Sequence, residues 1–369
     1  MFNNKFKNKK ILVTGHTGFK GSWLSMMLLE LGAEVVGYAL EPETEPNLFT
    51  ELKLEKRLKN NFGDIRDYEK LLNVIKTEKP EIIFHMAAQP LVRRSYREPV
   101  LTYETNVMGT VNLLEACRIN NSVKTVINIT TDKCYENKEW VYSYREVDRL
   151  GGYDPYSASK ACAELVASSY RNSFFNTKDY GKTHNLALAS VRAGNVIGGG
   201  DWSEDRLVPD CIKALSQNQS IQIRNPNSIR PWQHVLEPLT GYLTLAAHMS
   251  DQPMEYAEGW NFGPNEDAAI NVGDLSSKLI QCWGSGSVNI DEGPHPHEAN
   301  FLKLDISKAA SKLNFKPCLN IDETLSLTVN WYKNFYNNKE KISDFTKSQI
   351  QYYLEKQSKV ICSKTHLEI

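Results

Sequence analysis

The sequence predicts an α/β fold: a Rossmann-type doubly wound parallel sheet with a smaller irregular C-terminal substrate-binding lobe. Three observations carry this expectation. Apolar, β-branched runs alternate with segments of helical period through the first half of the chain. A glycine-rich turn, Gly15-His16-Thr17-Gly18-Phe19-Lys20-Gly21, directly follows the first of those runs. After about residue 194 the pattern gives way to clusters of Gly, Asp, Asn and Pro between shorter helical stretches. Strands that alternate with helices of this length argue for parallel βαβ units with both sheet faces covered.

In chain order, residues 10–14 (KILVT) read as a buried strand and 22–31 (SWLSMMLLEL) as a helix that Gly32 is suited to end. Residues 33–40 form the next strand, and further strands are expected at 59–63, 81–87, 124–130 and 187–193. Helices are expected near 67–78, 100–120 and 156–175, and 321–337 reads as a packed helix near the end. This divides the chain into a nucleotide-binding domain over 1–194, with 235–265 returning to it, a substrate-binding lobe over 195–340, and a tail over 341–369 whose last twenty or so residues are mixed in pattern and expected to be mobile.

Composition narrows the function classes. The 369 residues hold 43 Lys and Arg against 44 Asp and Glu, a formal net charge of −1, which gives no basic footprint for nucleic acid or an anionic membrane. With 41% hydrophobic and 24% charged residues the chain is ordinary globular material of roughly two domains. No window approaches the ~20 apolar residues of a membrane span, and the basic start lacks the apolar core of a secretory signal, so a cytoplasmic location is expected. The seven cysteines are widely spaced with no CxxC pair, and His295-Pro-His297 has no partners spaced for tetrahedral coordination, so neither a disulfide framework nor a metal site is expected.

Between a strand and a helix, GxxGxxG permits a tight turn and close backbone approach, so that free helix amides and the helix dipole can hold a dinucleotide pyrophosphate. His16 and Lys20 either add positive charge there or face solvent. A carboxylate about 20 residues on suits the ribose hydroxyls of an unphosphorylated cofactor; Glu41 follows the second strand and no arginine lies between residues 22 and 56, which favours NAD over NADP. Asp64, in Gly63-Asp64-Ile65-Arg66, suits an adenine contact, or it caps a helix.

Tyr156 and Lys160 stand four apart at the start of a helical stretch, which puts phenol and ammonium on one face; a nearby cation favours the phenolate and prepares a general base. Upstream, the strand ending Thr130-Thr131 offers a hydroxyl to orient a substrate alcohol.

GxxGxxG at 15–21, Asp64-Ile65, Ala87-Ala88-Gln89, Thr131 and Tyr156/Lys160 match in order and spacing, and over about residues 8–335 the chain resembles the extended short-chain dehydrogenase/reductases. The resemblance implies a Tyr156 base, a Lys160 that binds the nicotinamide ribose and depresses the tyrosine pKa, a Thr131 that holds the reacting oxygen, and an NAD site that also includes Asn106. Arg192-Ala-Gly-Asn195-Val-Ile-Gly198 and Arg230-Pro-Trp-Gln-His234 resemble the nucleotide-sugar branch, which implies diphosphate contacts from Asn195, Arg206 and Arg230. GHTGFKGSWLS, MAAQPLVRRSY, TTDKCYEN, YSASK and GNVIGGGDW are similar to the 4,6-dehydratases of that branch that act on CDP-glucose. This likeness implies a lyase that oxidises C4, eliminates water across C5 and C6 and returns the hydride to C6. It also implies a homodimer or homotetramer and a place in deoxysugar and O-antigen lipopolysaccharide synthesis. The relatives' Thr-Asp-Glu is Thr131-Asp132-Lys133 here, so Asp132 is expected as acid and Lys133 as the C5 base, with Glu136 an alternative. Neighbours in a strand point to opposite faces, so both can serve only if the backbone turns immediately after Thr131. A nucleotide-sugar 4-epimerase or a 4,6-dehydratase acting on a GDP- or dTDP-sugar is the competing enzyme, and a non-catalytic NAD-binding protein the competing class.

Overall fold

The structure is a computed structural model that describes residues 2, 4–265, 268–291, 293 and 301–365, with side chains described to 362. His295 and His297 lie outside the described residues.

Its centre is a seven-stranded, all-parallel sheet made of β1 (Lys10–Thr14), β2 (Glu34–Ala39), β3 (Lys59–Phe62), β4 (Ile82–His85), β5 (Thr125–Ile129), β6 (Ala187–Ala193) and a late strand, Gly259–Phe262. The late strand lies outside β6, and the order runs from it through β6, β5, β4, β1, β2 to β3. Every residue of β4, β5 and β6 is buried, because helices cover both faces and leave no side of these strands to water. The order reverses between β1 and β4, and the crevice beyond the C-terminal ends of the strands there is where ligands bind in open α/β sheets.

The residues after 194 divide between this sheet and a cap. Asn195–Ile197, Ile221–Ile223, Ile229–His234, Ala269–Asn271 and Val288–Ile290 build two small sheets of three and two strands. The helix Leu236–Asp251 turns back, and its buried Leu239, Tyr242, Leu243 and Ala246 pack on the main sheet before the chain enters Gly259–Phe262.

Two segments differ from expectation. The helix expected over 100–120 runs without interruption from Pro99 to Arg118 but widens into a π-type turn at Glu104–Met108. Asn106 turns inward there to bond the loop after β4, and Gly109 seats against Ile65, whose Cγ2 a Cβ would approach to 2.7 Å. The tail is not mixed: Ile342–Thr365 is one helix. Ile342, Thr346, Ile350 and Tyr353 recur at helical spacing and are buried, Trp331 donates to Thr346 Oγ1 at 2.8 Å, and Tyr353 donates to Glu237 Oε2 at 2.6 Å.

A buried ion pair ties β6 to the helix Pro155–Ser173. Arg192 Nε and Nη2 meet Glu164 Oε1 and Oε2 at 2.9 and 3.0 Å, and Thr130 donates to Glu164 Oε1 at 2.5 Å. Removing one partner strands the other charge in the core, so Glu164→Ala should cost about 3–5 kcal/mol, read as a fall in the urea midpoint at unchanged m-value. A midpoint at the wild-type value would show that water reaches Arg192.

Candidate active site

A cleft of about 1240 Å³ opens over β1, β4, β5 and β6. Along one wall runs the glycine turn. Gly15 has φ +74°, and a Cβ there would lie 2.7 Å from the Ala87 amide nitrogen, so only glycine lets β1 turn this close to β4. Gly18 differs: a Cβ would meet nothing nearer than Gly15 O at 3.5 Å among the described residues, so its surface faces the cleft. It also begins the helix Phe19–Glu30, which has no side-chain cap and no acid in its first turn, leaving amides for an anion. Thr17 donates to Leu40 O at 2.9 Å and fixes the turn to the end of β2, where Glu41 also lines the cleft. Phe19, Gly21 and Ile65 line it too.

The two basic residues of the turn part company. Lys20 lines the cleft, donates to the Tyr242 hydroxyl at 3.2 Å, and is pushed down to about 7 by burial and by Arg206 and Lys160. His16 points away from the cleft. Its Nε2 is 2.7 Å from Asn60 Oδ1, its ring stands edge-on to Phe49 and against Gly37, and burial pushes it down to about 4. It therefore takes neither of the two roles open to it in the sequence, being neither a cation beside the phosphates nor exposed to solvent.

Asp64 lines the cleft and is held below the usual carboxylate range by Arg66, whose Nη2 lies 2.7 Å from Oδ2. The helix Tyr68–Glu78 is capped by Asp67, not Asp64. Ala87, Ala88 and Gln89 border the cleft, but the Gln89 side chain turns back to Leu91 and Thr102. Asn106, expected as a cofactor contact, does not line the cleft. It is buried, accepts from the Gln89 amide at 2.9 Å and donates to Gln89 O at 3.1 Å and Ser159 Oγ at 2.9 Å, so it positions the loop against the Tyr156 helix.

After β5 the chain stays extended through Thr131 (φ −150°, ψ 160°) and then folds at once into a 3-10 turn, Asp132–Cys134, with the Thr131 hydroxyl accepting from the Lys133 amide at 3.4 Å. The turn brings Thr131, Asp132 and Lys133 together on the cleft. Thr131 donates to Asp132 Oδ1 at 2.9 Å, and Gly194 makes room for the carboxyl, since a Cβ would lie 2.9 Å from Oδ2. Burial raises the Asp132 pKa; Lys133, the Thr131 hydrogen bond and Arg230 oppose it. Glu136 also lines the cleft, but Lys138 and Arg149 engage it and hold its pKa down.

Opposite stands the helix Pro155–Ser173, started by Pro155 at its first position and by Asp154, which accepts from the Ser157 amide at 2.9 Å. Its first turns present Tyr156 and Lys160 to the cleft. Burial pushes the phenol up to about 12, and the groups that pull it down are Thr131 and Arg206. Lys160, expected to lower it, donates instead to Ile129 O at 3.3 Å and is pushed down to about 8 by its own burial, against Glu164. Asn195, Arg206 and Arg230 line the cap side. Arg206 pairs with Asp201 at 3.1 Å, and Arg230 donates to Ile229 O at 3.1 Å.

Sequence reasoning passed over two groups here. The Arg192–Glu164–Thr130 network, extended by Arg192 Nη1 donating to Tyr135 at 2.5 Å, fixes the strand end that carries Thr131. Its signal was a charged residue inside each of two apolar stretches, ALASVRA and ACAELVA. Arg93 and Arg224 also line the cleft. Among the described residues no group of three or more His, Cys, Asp or Glu is placed to hold a metal.

A doubly wound sheet with a glycine cradle on one wall, a Tyr/Lys pair over the middle and an arginine-lined cap defines the nucleotide-sugar dehydratases and epimerases of the short-chain dehydrogenase/reductase class. Within it the chain belongs to the family described as GDP-mannose 4,6 dehydratase, whose model matches residues 12–328. It is 53% identical over 350 residues to the CDP-glucose 4,6-dehydratase of Salmonella typhimurium, covering 93% of this chain and 97% of that protein. It is 28% identical to a dTDP-glucose 4,6-dehydratase of Streptomyces antibioticus, over 88% of this chain and 92% of that one. Among solved structures, a dTDP-glucose 4,6-dehydratase of Streptomyces venezuelae with NAD bound superposes with a TM-score of 0.74 at 25% identity, covering 89% and 97% of the two chains. The UDP-glucose 4-epimerase of Thermotoga maritima shares the fold at TM-score 0.76 and 24% identity, covering 89% and 100%.

Proposed function

We propose that the protein is an NAD-dependent hydro-lyase that converts CDP-D-glucose to CDP-4-dehydro-6-deoxy-D-glucose and water. The observation that carries the reading is the turn at Asp132–Cys134, which sets a buried carboxyl and an amine beside Thr131, Tyr156 and Lys160. An epimerase needs only the last three. The 53% identity to a CDP-glucose 4,6-dehydratase supports the choice of nucleotide.

The glycine cradle fits NAD: Gly15 lets the turn close against β4, Gly18 leaves the space a pyrophosphate would fill, Phe19–Glu30 offers its amides, and Asp64 lines the cleft as an acceptor for the adenine amine. The chemistry NAD would supply there is a reversible hydride store, for the hydrogen that leaves C4 and ends at C6. The protein's own groups handle the protons. Tyr156, as its phenolate, takes the C4 hydroxyl proton while Thr131 holds that oxygen. The C4 ketone acidifies C5–H, Lys133 removes that proton, and Asp132 protonates the C6 hydroxyl as the C–O bond breaks, releasing water. Lys133 then returns a proton to C5, and the proton that Tyr156 gained balances the one that Asp132 gave up in the water. Lys160 and Asp64 hold the cofactor; Asn195, Arg206 and Arg230 face the substrate.

Incubation with CDP-glucose in D2O, followed by NMR, tests this. A new C6 methyl and one deuterium at C5 are expected, with faster turnover of CDP-glucose than of the GDP, dTDP or UDP sugars. A C4-inverted hexose with C5–H retained would establish the epimerase.

The reading includes a homodimer formed through the helices Pro99–Tyr103, Gly109–Arg118 and Pro155–Ser173, on which and between which Val100, Met108 and Leu165 are 68%, 50% and 58% exposed. Leu165→Arg should give monomers by light scattering; an oligomer of wild-type mass would place the interface elsewhere. A cytoplasmic reaction within deoxysugar and O-antigen synthesis rests on the likeness to CDP-glucose dehydratases.

A further inference from the structure

Arg93, on the helix Val92–Arg97 of the cofactor platform, and Arg224, just after the strand Ile221–Ile223 of the cap, both line the cleft from opposite sides. Neither is in an ordinary ion pair. Arg93 Nη1 and Arg224 Nη2 approach the same oxygen, Asp205 Oδ1, at 3.5 and 3.4 Å. On the same helix, Arg94 meets Glu98 at 2.6 Å and Glu43 at 3.1 Å, so short contacts are within reach of this segment. Arg93 Nη2 is buried and finds no hydrogen-bond partner among the described residues. A buried guanidinium nitrogen without an acceptor is costly and calls for one that arrives with a ligand.

Asp205 stands at a turn position with φ +58°, a left-handed conformation that aspartate accepts more readily than most residues with a Cβ, in the loop that runs from Asp201 to Arg206. Its single oxygen stretched between two guanidiniums matches the charge of a phosphate oxygen but not its reach. A diphosphate has more oxygens, more charge and a longer span, and can accept bidentate bonds from both arginines at once. Arg206 acts electrostatically on Tyr156 and Lys20, whereas Arg93 and Arg224 meet across the cleft at Asp205.

We propose that Arg93 and Arg224 form a two-sided clamp for the substrate's diphosphate, and that Asp205 occupies this clamp until the diphosphate displaces it. This rests on the nucleoside-diphosphate-sugar reading above. The incoming phosphate oxygens replace the two long carboxylate contacts, and one of them satisfies Arg93 Nη2. Asp205 is then a competitor built into the site, and substrate affinity is set by the difference between its hold on the arginines and that of the diphosphate.

Calorimetric titration of the NAD-loaded enzyme with CDP tests the clamp. Arg93→Gln should weaken CDP by about tenfold or more while NAD affinity stays at the wild-type value. Asp205→Asn, which keeps the side-chain size but removes the competing charge, should tighten CDP severalfold. CDP affinity within twofold of wild type in Arg93→Gln, or weaker binding in Asp205→Asn, would overturn the proposal, the latter because Asp205 would then be aligning the arginines for the ligand. If wild-type enzyme binds no CDP, the substrate reading fails by itself, and inorganic pyrophosphate replaces CDP as the titrant with the same two expectations.

Discussion

Tyr156→Phe should lower kcat for CDP-glucose by about 10²–10⁴-fold, the usual range for removing a positioned general base, while KM changes by less than threefold. The group that takes the C4 proton is the phenolate; burial works against it by pushing the phenol up to about 12, so Tyr156 must give up its own proton first and the active form grows as pH rises. Thr131 and Arg206 are the groups that favour the phenolate. Phenylalanine keeps the ring packed at the start of the helix but leaves the C4 hydroxyl proton without an acceptor. Solvent cannot substitute, since Tyr156 is only 9% exposed. The pH profile should carry a second mark of the same site. Lys160 has its pKa lowered to about 8, so its positive charge is present below that pH and lost above it, and the cofactor's hold should weaken as pH rises through 8. Initial rates at saturating sugar nucleotide, with NAD affinity measured separately, check both. A Tyr156→Phe enzyme within fivefold of wild type would move the base to another residue.

Much of this site is written locally in the sequence, and the parts that are not share a cause. The glycine turn, Thr131, Tyr156 and Lys160 each sit at the junction of a strand and a helix, and such junctions show as abrupt changes of period in one short window. The direction of His16 does not show there. Its ring turns inward because Gly37, a strand away, leaves the gap it fills, and no local pattern encodes that pairing. Family resemblance implies a cofactor contact for Asn106, yet its side chain is fully spent on Gln89 and Ser159, contacts 17 and 53 residues distant. The same holds for Arg192 with Glu164, 28 apart, and for the clamp, where Arg93, Asp205 and Arg224 come from both walls of the cleft. The terminal helix has a legible apolar stripe, Ile342, Ile350 and Tyr353, but its Gln, Ser and Lys content dilutes the signal, and burial against Trp331 and Glu237 decides the outcome. Local chemistry is readable; long-range electrostatics is not.

Separating the acid from the C5 base calls for two variants read side by side. Asp132→Asn keeps the shape of the side chain but cannot deliver a proton to the C6 hydroxyl, whereas Lys133→Met keeps the stem and removes the amine. If oxidation at C4 precedes both steps, the ketone alone makes C5–H acidic, so Lys133 can exchange that proton with solvent whether or not the C6 hydroxyl leaves. Asp132→Asn should therefore lose methyl formation by about 10²–10⁴-fold and yet still wash deuterium into C5 of the bound sugar. Lys133→Met should lose both, with NAD binding unchanged. Burial supports this division: it raises the Asp132 pKa and keeps the carboxyl protonated to higher pH than a free aspartate, so elimination should fail as pH rises through that raised value, not as it falls. Asparagine removes that dependence because it does not titrate. The reverse pattern, deuterium exchange lost in Asp132→Asn and kept in Lys133→Met, would exchange the two roles. Exchange kept in Lys133→Met and lost in Glu136→Gln would assign the base to Glu136, which must then leave Lys138 and Arg149 to reach the sugar.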